Sequence, residues 1–173
     1  MIDFSVILAG FGGQGILSAG KMAAEAALYE GKEVSWFPSY GPEMRGGTCN
    51  CSVVISDEAI GSPVINDADV AICLNQPSME KFENSIKPGG VLIIDSSLVH
   101  IKPKRTDSRF IPMNASDIAS ELSNMAFASI SMLGCLSEAT KCFSRDSFEA
   151  SLREVLPERR HHLIPGNLEA FDK

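Results

Sequence analysis

Six residues near the start of the chain, Gly10-Phe11-Gly12-Gly13-Gln14-Gly15, restrict its fold more than any others. They follow Phe4-Ser5-Val6-Ile7-Leu8-Ala9, a short apolar run that reads as a buried central strand. After them, over residues 15–29, Ile16, Gly20, Ala23, Ala24 and Ala27 recur on one helical face, small enough to press closely onto a sheet. Glycines between a strand and a helix permit a turn that a Cβ would strain or crowd. Such a turn also leaves backbone N–H groups free at the positive end of a helix, where an anion is favoured. Two roles are therefore open for Gly10, Gly12, Gly13, Gln14 and Gly15: close packing, or an anion site.

The remaining pattern alternates strands with helices. Strands are predicted at about 33–37, 48–56, 67–74, 91–95 and 110–113, with Cys49, Cys51 and Val53 sharing one face of the second of these. Helices are predicted from about residue 77 to 86, over 124–141, and from Ser144, an N-cap residue type, to 156. Lys87-Pro88-Gly89-Gly90 reads as a turn into a strand, and Asn114 with Asp117 resembles a helix cap. The polar residues 96–108 read as a surface excursion. Together these predict one domain over residues 1–173, an α/β/α sandwich of three layers with a Rossmann-like first strand-loop-helix unit. Its sheet should be mixed and mostly parallel, because the strand at 33–37 is followed so soon by the next. Between those two strands, residues 38–47 hold two prolines and three glycines beside Tyr40, Glu43, Met44 and Arg45. That composition predicts an ordered loop, and Tyr40, Met44 and Arg45 are of the kinds enriched at protein interfaces.

Charge and composition exclude several functions. A net charge of −7 argues against nucleic acid and against an anionic membrane surface. No export signal or spanning segment is visible, so the cytoplasm is the expected compartment and the five cysteines are expected to be reduced thiols. Cys49-x-Cys51 lacks the companion ligands of an iron–sulfur or zinc site, which points to core packing. Dinucleotide binding calls for an acidic residue at the end of the second strand, but here Glu33 stands at its start. Arg159-Arg160-His161-His162 reads as a solvated basic patch or a partner contact, and Asp95, at a strand end, as either a ligand-site residue or a cap.

Taken together, Gly10 to Gly15 and Ser39-Tyr40-Gly41-Pro42-Glu43-Met44-Arg45-Gly46-Gly47-Thr48 resemble the γ subunit of the 2-oxoacid:ferredoxin oxidoreductases. The resemblance continues through Ser56-Asp57-Glu58-Ala59-Ile60-Gly61-Ser62-Pro63, Lys87-Pro88-Gly89-Gly90, Asn124-Met125 and Met132-Leu133-Gly134. It implies one part of a cytoplasmic complex with α, β and δ subunits that decarboxylates a 2-oxoacid oxidatively with coenzyme A and passes electrons to ferredoxin. Thiamine diphosphate and iron–sulfur clusters are then expected on partner subunits and no cofactor or catalytic residue on this one, so the isolated chain should be inactive. The glycine loop would share the coenzyme A site, and Tyr40, Glu43, Met44 and Arg45 would meet the α or β subunit. The Glu43 to Thr48 form resembles the 2-oxoglutarate enzymes most, with 2-oxoisovalerate, pyruvate and indolepyruvate relatives as alternatives. A free-standing nucleotide-binding enzyme, or a module capturing acyl-CoA, is the contrasting expectation.

Overall fold

Val6, Ile7, Leu8 and Ala9 are each at most 4% exposed, because the strand that carries them, β1 (Asp3–Phe11), is an interior strand of the sheet. Burial on both faces removes any need for polar alternation, which is why the sequence there is continuously apolar. The computed structural model describes residues 3–39 and 48–173. The other strands are β2 (Glu33–Ser39), β3 (Thr48–Ser56), β4 (Ala68–Cys73), β5 (Ile86–Asp95) and β6 (Arg109–Met113). They form one sheet in the order β2-β3-β1-β4-β5-β6. β1, β4, β5 and β6 are parallel neighbours, whereas β3 lies antiparallel between β1 and β2. The sheet is thus mixed and mostly parallel, as expected.

Helices cover the two faces unequally. α1 (Ile16–Tyr29), α3 (Ala115–Glu121), α4 (Phe127–Thr140), α5 (Arg145–Val155) and α6 (Ile164–Asp172) bury apolar residues against Val6, Leu8, Cys51, Val53, Val70, Ile72 and Ile93 on one face. On the other, α2 (Gln76–Phe82) sets Met79 against Ala71, Cys73, Leu92 and Ile94. α4 is buried around most of its circumference, as its apolar sequence demands. Ser144 caps α5 by accepting from the Ser147 N–H at 3.1 Å. Glu30, at the end of α1, accepts from the Ser144 N–H and the Ser147 hydroxyl, both at 2.7 Å, and so ties the two helices together.

Several local expectations need correcting. Lys87-Pro88-Gly89-Gly90 is not a turn outside the strand: β5 begins at Ile86, and its register steps from Ala68↔Ile86 to Val70↔Val91, so these residues form an irregularity within it. The helix expected to reach residue 86 stops at Phe82 and gives way to a short 3-10 turn, Glu83–Ser85. Asn114 makes no side-chain cap to α3. That helix is held from across the sheet, where Asp95 accepts from the Ser116 N–H and hydroxyl, and Ser97 Oγ accepts from the Asp117 N–H. Pro38 and Ser39 belong to β2 rather than to a loop, while Tyr40, Glu43, Met44 and Arg45 lie outside the described residues. The surface excursion at 96–108 is anchored where Arg105 donates to the carbonyl of Glu83 at 3.1 Å, and Lys104 N–H to the Glu83 carboxylate at 2.8 Å.

α6 has no counterpart among the helices predicted from sequence, because Pro165 and Gly166 look like helix breakers. They occupy its first turn, where a proline gives up no intrahelical hydrogen bond. α6 packs against α4 at Gly134, where an added Cβ would lie 2.0 Å from the Phe171 carbonyl oxygen. Gly134→Ala should therefore lower stability by about 1–3 kcal/mol despite the better helix propensity of alanine, since the obstacle is backbone. Urea unfolding followed by circular dichroism measures this, and an unchanged midpoint would show that α6 yields freely.

Candidate functional site

Each glycine of the loop has its own physical reason. A Cβ at Gly10 would come within 2.6 Å of Gln14 Oε1 and 2.9 Å of Ile16 Cδ1, so a larger residue there would have to displace the two side chains that fold back over β1. Gly13 (φ 91°) and Gly15 (φ 76°) adopt left-handed conformations that strain other residues. At Gly15 a Cβ would also approach Ser129 Oγ at 3.1 Å, whereas the space around Gly13 is open. Gln14 locks the turn from both ends: its Oε1 accepts from the Phe11 N–H at 2.7 Å, and its own N–H donates to the Phe11 carbonyl at 3.2 Å. The glycines therefore serve packing at Gly10 and Gly15 and leave an exposed backbone at Gly12 and Gly13. Among the described residues, the N–H groups of Gly12, Gly13 and Gly15 meet no backbone acceptor. They sit at the start of α1, a helix of 14 residues whose positive end favours a negative charge by roughly 0.3–1 kcal/mol when exposed.

The position of the loop in the sheet matters as much as its shape. β1 and β4 are parallel neighbours, yet the chain leaves β1 for α1 on one face and β4 for α2 on the other. Diverging connections of this kind open a crevice beyond the carboxyl ends of the strands, where α/β proteins bind ligands. One wall here is the glycine loop. The other is the β4–α2 connection, held alongside because the Leu74 N–H donates to the Ala9 carbonyl at 2.9 Å. Phe11, 41% exposed, stands at the edge. Asn75 lies in the second wall and caps α2 by accepting from the Ser78 N–H at 2.8 Å. It is absent from the candidates drawn from sequence, although Asn-x-Pro after a strand is a helix-start signal.

Asp95 is structural. It is fully buried and accepts from the N–H groups of Ser97 and Ser116 and from the Ser116 hydroxyl. No acidic side chain ends β2, which closes on Pro38 and Ser39. A concavity of about 960 Å³ lies beyond Glu30 at the far end of α1, roughly 21 Å of helix from the glycine loop. Its rim charges Arg145–Asp172 and Lys141–Glu138 are already paired, so the loop crevice is the better-built site.

The cysteines pack. Cys49, Cys51 and Cys142 join the core beneath the helices, and Cys73 the core beneath α2. Among the described residues, no group of three or more His, Cys, Asp or Glu could hold a metal ion, and no helix is long and apolar enough to cross a membrane. Burial pushes the Cys51 thiol up to about 12 and that of Cys142 up to about 11, from an ordinary 9.0, and raises Cys49, Cys73 and Cys135 as well.

An open mixed sheet covered by helices, with a glycine loop between its first strand and first helix, defines the class of α/β domains. The sequence matches the pyruvate ferredoxin/flavodoxin oxidoreductase family over residues 5–173, and the chain belongs to that family. It is 40% identical over 169 residues to the 2-oxoglutarate synthase subunit KorC of Methanocaldococcus jannaschii, covering 96% of this chain and 89% of that protein. It is 44% identical over 134 residues to the ketoisovalerate oxidoreductase subunit VorA of Methanothermobacter marburgensis, covering 78% of this chain but spanning only 28% of that longer protein. The fold is similar to the γ subunit of a keto/oxoacid ferredoxin oxidoreductase from Geobacter sulfurreducens (TM-score 0.86, 29% identity, 99% of this chain and 95% of that one). It is similar also to the 2-oxoglutarate:ferredoxin oxidoreductase of Magnetococcus marinus (TM-score 0.88, 28% identity, 99% of this chain and 30% of that one). The γ-subunit resemblance carried by the two sequence motifs is thus borne out.

The raised thiols have a pH consequence. Unfolded cysteines ionise above about pH 9 while the folded ones stay protonated, so the unfolded state binds fewer protons and stability falls as pH rises. The urea midpoint should drop between pH 9 and the values of about 11 and about 12 to which burial raises Cys142 and Cys51. A flat midpoint across that range would mean that these thiols are not shielded in solution.

Proposed function

We propose that this chain serves as the γ subunit of a 2-oxoglutarate:ferredoxin oxidoreductase and that its glycine loop takes a phosphate of coenzyme A. The N–H groups of Gly12, Gly13 and Gly15 at the start of α1, which meet no backbone acceptor among the described residues, carry the second part of this reading. They suit a phosphate, and the lack of an acidic residue at the end of β2 disfavours a dinucleotide ribose. For the 2-oxoacid, the similarity to KorC runs along nearly the whole chain. The similarity to VorA is slightly higher in identity but shorter, which makes 2-oxoisovalerate the second reading. The structure from Magnetococcus marinus is described as holding 2-oxoglutarate, coenzyme A and succinyl-CoA, which supports both parts by analogy.

In the reaction proposed, the bond between the carboxylate and carbonyl carbons of the 2-oxoacid breaks to release CO2. The acyl carbon joins the sulfur of coenzyme A, and two electrons leave for ferredoxin with release of the thiol proton. Thiamine diphosphate and iron–sulfur clusters would reside on the α, β and δ subunits. This chain would contribute assembly and a hold on coenzyme A.

The assembled enzyme, purified from its native cell, provides the test. Gly12→Val should raise KM for coenzyme A at least about tenfold, the loss expected for a charge-assisted hydrogen bond, and leave KM for the 2-oxoacid unchanged. Unaltered coenzyme A kinetics in a folded variant would refute the loop's role. A higher kcat/KM for 2-oxoisovalerate than for 2-oxoglutarate would overturn the substrate. The isolated chain should be colourless and inactive, and stoichiometric iron or flavin in it would contradict the subunit reading.

A further inference from the structure

The glycine loop supplies one wall of the switch-point crevice, and the opposite wall carries an unexplained polar group. Asn75 is 2% exposed. Its Oδ1 is committed to the Ser78 N–H, but its Nδ2, a two-proton donor, has no hydrogen-bond partner among the described residues. An N-cap needs only the oxygen, and aspartate would cap α2 without an amide donor. A buried amide left unpaired burdens the fold, so its presence calls for a partner beyond the described residues.

The sheet places Asn75 next to the strand that leads into the loop. Leu74 points into the core beneath α1, so the alternation of the extended chain sends Asn75 to the other face. Continued by two residues, the register Ala9↔Cys73 sets Asn75 opposite Phe11, the last strand residue before the glycine loop. Gly12 and Gly13 on one side and Asn75 on the other thus follow the carboxyl ends of two adjacent parallel strands.

We propose that Asn75 is a binding residue of this crevice, its Nδ2 donating to an oxygen of the phosphate or diphosphate that the glycine loop holds. The proposal rests on the loop being a phosphate site. A neutral donor suits such a position because it adds a hydrogen bond to the anion, where a carboxylate would repel it.

Two variants of the assembled enzyme isolate the amide. Asn75→Ser keeps a capping oxygen and replaces the amide with a shorter hydroxyl. Asn75→Asp keeps both cap and shape and replaces the donor with an anionic oxygen. KM for coenzyme A and its Kd by calorimetry should rise roughly tenfold for serine and further for aspartate, with KM for the 2-oxoacid and Tm unchanged. Coenzyme A parameters equal to wild type in both variants would overturn the proposal, while a persisting effect of Gly12→Val would show that the loop still holds a phosphate. If Gly12→Val also leaves coenzyme A unaffected, the loop reading falls and this one with it. A lowered Tm accompanied by equal losses for both substrates would make Asn75 a purely structural cap and overturn the proposal as well.

Discussion

The rest of this structure depends on β1 having different neighbours on its two sides. Along one edge it pairs antiparallel with β3 from Asp3↔Ser56 to Phe11↔Thr48, and along the other it pairs parallel with β4. The long antiparallel ladder fixes β1 in the middle of the sheet and brings β2 and β3 back beneath α1. The parallel neighbour lets the chain depart from two adjacent strands toward opposite faces, which creates the crevice. Ser5 and Asp69 clamp the starts of β1 and β4, the Ser5 N–H donating to the Asp69 carboxylate at 2.8 Å. The geometry of the site follows from this pairing.

Close approach between layers is the second constraint. At Gly20 a Cβ would lie 2.4 Å from the Cys51 sulfur and 3.1 Å from the Trp36 indole nitrogen, so α1 sits lower on β2 and β3 than a larger residue would allow. Gly134 does the same for α4 and α6. Small residues at these two points let helices cover one face densely, while the short α2 suffices for the smaller core on the other. The surface ion pairs, such as Lys87 with Asp69 at 3.0 Å, trim the edges and add little by comparison.

Much of this is legible in the residues themselves. The apolar run of β1, the small-residue face of α1 and the alternation Cys49, Cys51, Val53 on β3 announce a mixed α/β sheet, because period and composition report burial directly. Positive-φ glycines announce the loop. What escapes a reading of the sequence is decided by long-range partners. Asp95 is a structural acceptor only because α3 returns beside it, and Asn75 becomes a crevice residue only because β4 lies next to β1. α6 escapes because Pro165 and Gly166 are breakers by propensity and harmless in a first turn. The family motif at residues 39–48 points to the kind of protein before any geometry does, since its side chains carry a resemblance rather than a fold signal.

Amide hydrogen exchange on the assembled enzyme, with and without coenzyme A, tests the central claim that this domain holds the phosphate end of that substrate. The account predicts slowed exchange in the peptide that spans the glycine loop and the first turn of α1, with the far end of α1 at Glu30 unaffected. Protection appearing only in the partner subunits, with the glycine loop exchanging at its substrate-free rate, would contradict it.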